Sequence, residues 1–79
     1  MRQIDLHGMT HDEALLATEN FLLLESAQNP YGVFEAKIIT GNSPELQGKI
    51  VKHILDKHNF SWYKNGYNQG AIYVSESFL

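Results

Sequence analysis

Hydrophobic and polar positions along this chain alternate in short runs and recur with helical spacing in longer ones, in a set order. From Arg2 to His7, Ile4 and Leu6 share one face while Gln3, Asp5 and His7 share the other, the pattern of a half-buried strand. Gly8 then permits a sharp turn, Thr10 can cap a helix beginning at His11, and Glu13 stands where a capping box places its acid. From His11 to about Gln28, the residues Ala14, Leu15, Thr18, Phe21, Leu22 and Glu25 recur at spacings of three and four, which predicts a helix docked on a sheet. Leu16 and Leu23 fall on a second stripe, with Leu24 and Ala27 also outside the first. A helix apolar beyond its core stripe is buried on two sides or meets another chain, unless these are single leucines scattered on a surface.

Asn29-Pro30-Tyr31-Gly32 carries turn-forming residues, and from Val33 to Thr40 the side chains alternate again, with Phe34, Ala36 and Ile38 opposite Glu35, Lys37 and Ile39. Strand, full helix and strand in this order predict a right-handed parallel crossover. Ser43 suits an N-cap, Pro44 the first helical position and Glu45 the positive end of the dipole of a helix running to about His58. Its core face would carry Leu46, Ile50, Val51, Ile54 and Leu55, leaving Gln47, Lys49, Lys52, His53 and Lys57 elsewhere. Phe60, Trp62 and Tyr63 suggest a third strand, Lys64 to Gly70 a turn-rich connection, and Ala71 to Ser75 a last, antiparallel strand with Ile72 and Val74 toward the helices and Tyr73 opposite. The order βαβαββ predicts the α/β class in its broad sense, an α+β two-layer sandwich with two helices on one face of a four-stranded mixed sheet.

Composition narrows what such a fold can do. Seventy-nine residues, 43% of them hydrophobic, make one domain over residues 1–79, and one this small buries only about 60% of its unfolded surface. Without cysteine there is neither a disulfide framework nor a thiolate zinc site. No apolar run approaches the ~20 residues of a membrane span, and no basic, greasy leader precedes the first strand, so the expectation is a cytoplasmic protein without a membrane partner. The net charge of −3 limits polyanion binding to a local patch.

Candidate chemistry lies where the strands end. Asp5, two residues before His7 on the same strand face, can fix the imidazole's tautomer and hold it for proton transfer, although such a pair also serves in ordinary surface turns. The loop Thr40-Gly41-Asn42-Ser43 opens onto a helix and offers backbone N–H groups to a phosphate, although any helix entry needs such a turn. Ligands of α/β sheets favour the carboxyl ends of parallel strands, so Asp5, His7 and this loop should meet at one edge. His11 is a candidate second proton group or a solvated residue, and Lys64 and Lys37 are candidate phosphate contacts or ordinary surface charges. Tyr73 with Trp62 or Tyr63 could stack on unpaired bases, or belong to the core. His53 and His58, five apart, do not face each other as metal ligands on a helix would.

Taken together, Asp5-Leu6-His7-Gly8 with Thr10, the helix start Ala14-Leu15, Ile38-Ile39-Thr40-Gly41, the amphipathic helix after it and Gly70-Ala71-Ile72-Tyr73-Val74 resemble the Smr (small MutS-related) domain over nearly the whole chain. The resemblance implies a fold similar to the C-terminal domain of translation initiation factor three. It also implies an activity that nicks DNA or cleaves RNA, in some members mRNA on stalled ribosomes. It casts Asp5 and His7 as the catalytic or binding pair and puts Thr40-Gly41-Asn42-Ser43 in place of the family's His-Gly-x-Gly or Thr-Gly-x-Gly motif. Ser43 replaces the motif's last glycine, Thr40 replaces the histidine of its first form, and the usual basic residues beside it are sparse. The expected function is a nucleic-acid-binding domain acting as an endonuclease, with no cofactor unless magnesium assists DNA nicking. The alternative is a non-catalytic module that binds nucleic acid or protein. Expected partners are RNA or DNA, and a second copy or another protein on the Leu16/Leu23 side of the first helix.

Overall fold

The computed structural model describes residues 2–29 and 33–77. Strand β1 (Arg2–Asp5) leads to helix α1 (His11–Gln28) and strand β2 (Val33–Ile39); helix α2 (Pro44–Ile50) runs on into a π-helical turn (Val51–Leu55), followed by β3 (Ser61–Asn65) and β4 (Asn68–Ser77). The sheet order is β1-β2-β4-β3, with β1 and β2 parallel and the other pairs antiparallel, so the expected mixed sheet with its two helices is what forms. Pro30, Tyr31 and Gly32 of the expected turn lie outside the described residues.

Alternation along the strands sorts the side chains into two layers. Phe34, Ala36 and Ile38 of β2 and Ile72 and Val74 of β4 are buried against Ala14 and Leu22 of α1 and Leu46, Ile50, Ile54 and Leu55 of the second helical segment. Helix α1 starts as its sequence predicts: the Thr10 hydroxyl accepts from the Glu13 amide at 3.2 Å, and the Glu13 carboxylate accepts from the Thr10 amide at 2.9 Å. The Thr10 backbone N–H, and after it the Thr10 side chain, hold the Glu13 carboxyl below its ordinary range. At the other end, Arg2 on β1 pairs with the buried Glu25 at 3.0 Å, joining strand to helix.

Thr18 is fully buried in α1, and its hydroxyl has no hydrogen-bond partner. A buried hydroxyl without a partner is destabilising, and valine matches its shape. Thr18→Val is therefore expected to raise stability by about 1 kcal/mol, read as a higher urea midpoint; a lower midpoint would mean that the hydroxyl is bonded after all.

Three expectations need correction. The second helix is not α-helical as far as His58: after Ile50 it widens, with the Asp56 N–H donating to Val51 O five residues back at 2.8 Å. Both Ile54 and Leu55 are buried in this wider turn, and Asn59, with φ +60°, ends the segment in a left-handed conformation that asparagine tolerates. The connection expected from Lys64 to Gly70 shrinks to a turn at residues 66–67, where Asn65 Oδ1 accepts from the Tyr67 N–H at 2.9 Å. Its polar residues belong to β3 and β4, which pair past a register shift beside Lys64, because backbone pairing at an edge strand makes no demand for apolar side chains. Phe60 lies just before β3 and is buried, edge-to-face with Phe34 at 6.1 Å.

Candidate functional site

The parallel register pairs Asp5 with Ile39, and the Leu6 N–H donates to Ile39 O at 3.0 Å, so the residues that follow on β1 and β2 leave the sheet side by side. On β1 the chain turns at once: the Met9 N–H donates to Leu6 O at 3.1 Å, and Gly8 supplies φ +80°, a value L-residues rarely adopt. His7 sits exposed in this turn. Asp5 does not hold the imidazole as the alternation suggested; its Oδ1 accepts from the His7 backbone N–H at 2.9 Å. The carboxylate shapes the turn, and the turn presents the ring to solvent.

On β2 the loop folds back on β4. The N–H groups of Thr40 and Gly41 both donate to Gly70 O, at 2.8 and 3.0 Å, and Gly41 takes φ +71° so that the Ser43 N–H can donate to Gly41 O at 2.9 Å. Gln47, assigned by its sequence to the polar side of the helix, is instead buried. Its Nε2 donates to Thr40 Oγ1 at 2.9 Å, Gly41 O at 3.3 Å and Gln69 O at 2.8 Å, tying α2 to the loop and to β4. The Thr40 hydroxyl accepts that bond and lies 2.7 Å from Gly41 O, so it is engaged in holding the loop. Of the amides expected to seat a phosphate, those of Gly41 and Ser43 are thus occupied within the protein. Those of Asn42 and Glu45 have no acceptor among the described residues, and the Ser43 hydroxyl caps α2 by accepting from the Leu46 N–H at 3.3 Å.

Positive groups reach the same end of the sheet. Lys49 of α2 donates to His11 Nδ1 at 3.0 Å, which leaves Nε2 as the ring's donor, and approaches Glu45 at 3.5 Å. Lys64 lies on the far edge strand, three strand spacings from β1 or roughly 14 Å, and lines a groove of about 250 Å³ with Pro44, Gln47, Gly48, Val51 and Trp62. His58 is used elsewhere: its Nε2 donates to Glu19 at 2.8 Å and, with Lys57 at 3.8 Å, holds that carboxylate below its ordinary range.

On the sheet face away from the helices, the register lines up Gln3, Lys37, Tyr73 and Tyr63 across all four strands. Tyr63 stacks on Tyr73 at 5.2 Å with 12° between the planes, and the Lys37 ammonium lies 5.7 Å over the Tyr73 ring. Tyr63 is therefore the aromatic that shares this face with Tyr73, whereas Trp62 pairs with Val74 and belongs to the helix side. Among the described residues no three His, Cys, Asp or Glu side chains converge as metal ligands, and no helix is long and apolar enough to cross a membrane.

Neither the Gln47 cluster nor the Lys49–His11 contact has a signature in local spacing, because Gln47 meets Gln69 and Lys49 meets His11 across long stretches of chain. Searches among curated proteins and among solved structures each returned no match. A family model for the Smr domain matches residues 4–75, nearly the whole chain and both strand-end turns with it, and the chain belongs to that family.

Proposed function

We propose that this Smr domain binds single-stranded nucleic acid across the sheet end where β1 and β2 finish, and cleaves its phosphodiester backbone with His7 as the proton-transferring group. The observation that carries this reading is the side-by-side exit of Asp5-His7 and Thr40-Ser43 from two parallel strands in register, with the imidazole exposed. The free amides of Asn42 and Glu45 favour an anion beside that imidazole, and Lys64 extends the positive ground along the same end. His7 takes the proton of the attacking hydroxyl, and His11, at the start of α1, is the group that returns one to the leaving oxygen once its ring has taken up a second proton at Nδ1 in place of the contact with Lys49. Among the described residues no cluster of carboxylates or histidines forms a cation site.

The test is incubation of the protein with labelled single-stranded RNA, structured RNA and supercoiled plasmid, with and without magnesium. Cleavage or nicking is the expected result. Salt-dependent binding without turnover would instead identify a non-catalytic module, with the outer face of Tyr63 and Lys37 as further contacts on the open sheet face.

A second contact is favoured by the outer side of α1. Leu16, 61% exposed, and Leu23 and Leu24 lie in the open, and Leu16 also borders a groove of about 540 Å³ between α1 and the π-helical turn. This side is proposed to pair with a second copy of the domain. Light scattering at high micromolar concentration is expected to give a dimer mass that Leu16→Glu returns to the monomer; a monomer mass for the unaltered chain would reject the contact.

A further inference from the structure

We infer that the groove over Gly48 is a slot for one unpaired nucleobase, stacked on Trp62. The inference rests on the proposal that this sheet end engages nucleic acid, and it adds where a base is held and by what.

Glycine is a poor choice inside a helix, since it leaves the backbone freer and forms no side-chain contact. Close packing normally explains such a glycine, but a Cβ placed on Gly48 would meet no protein atom within 4 Å. The missing side chain thus leaves open floor on the helix between Pro44 and Val51, with the indole of Trp62, 40% exposed, as the wall beside it. A flat opening bounded by an aromatic ring suits a planar ring system.

Two polar groups identify the kind of ring. Gln47, which lines the groove, spends its Nε2 on the loop, and its Oε1 receives no donor among the described residues. An amide oxygen that lines the groove, keeps access to solvent and has no protein donor suits a base with an exocyclic amine, such as cytosine or adenine. Lys64, at the mouth of the same groove, would meet the phosphate of the nucleotide whose base lies inside. The tyrosines are less suited to the task, because Tyr73 already has Tyr63 against one face and Lys37 over its ring.

Trp62 is the only tryptophan in the chain, so its emission reports on the slot directly. A short labelled oligocytidylate is expected to quench Trp62 fluorescence as it binds. Gly48→Leu fills the slot and should bind roughly tenfold more weakly with little quenching. Leucine is the better helix former, so this variant should be at least as thermally stable as the wild type, which separates lost binding from lost folding. Trp62→Ala should weaken binding to a similar degree. Binding by the wild type with unchanged Trp62 emission, or equal affinity in Gly48→Leu, would overturn the slot while leaving the sheet-end reading in place. Absence of any binding by the wild type would overturn both.

Discussion

Replacing His7 by alanine is expected to lower phosphodiester cleavage by roughly 10²–10⁴-fold and to leave the fold untouched. The ring is exposed and the hydrogen bonds of its turn are made by backbone atoms and by Asp5, so nothing in the core depends on the imidazole. Circular dichroism and thermal melting should coincide with the wild type. Asp5→Asn sharpens the result: asparagine keeps an oxygen that can accept from the His7 N–H but loses the charge. If Asp5 serves by shaping the turn, this variant should retain most of the rate that Asp5→Ala loses. Cleavage by His7→Ala at the wild-type rate, in a preparation shown free of other nucleases, would remove His7 from the mechanism.

Gln47→Ala is expected to be the most damaging single change at the site, at about 2–3 kcal/mol of stability. It deletes the donor shared by Thr40 Oγ1, Gly41 O and Gln69 O, and it leaves a hole where a side chain from a residue only 4% exposed had been. For a domain of this size such a loss corresponds to a fall in Tm of roughly 10–20 °C. The damage should be felt at the loop before the whole molecule. Hydrogen exchange at the amides of Thr40 and Gly41, which both donate to Gly70 O, should accelerate more than exchange in the centre of β2. Gln47→Glu tests the sign of the contact, since a carboxylate in that place faces the same oxygens without a donor. An unchanged melting temperature for Gln47→Ala would show that the loop is held by its backbone bonds alone.

These two residues mark opposite ends of what could be read in advance. The place of His7 is legible from period and position: alternation sets the strand, Gly8 and Thr10 set its end, and parallel-strand geometry sets it beside the end of β2. The Thr40-to-Ser43 loop was located in the same way. Gln47 was missed because a glutamine among Lys49, Lys52 and Lys57 looks like one more solvated position on an amphipathic helix. Its burial follows from how closely α2 approaches Gln69, a residue more than twenty positions later in the chain.

The elements and their layering were settled by local rules. Ile4, Phe34, Ala36, Ile38, Ile72 and Val74 fall at every second position of their strands, and Thr10 with Glu13 caps α1 whatever lies beyond it, so the strands, their buried face and the first helix needed no three-dimensional information. Hydrogen-bond ownership was a tertiary decision. The Gly41 N–H had a choice between a ligand and Gly70 O, and the Gln47 amide between solvent and Gln69 O; the arrival of β4 decided each. Side-chain spacing along a sequence records which face a residue occupies, whereas a polar atom's partner depends on which distant backbone oxygen or N–H comes within about 3 Å of it.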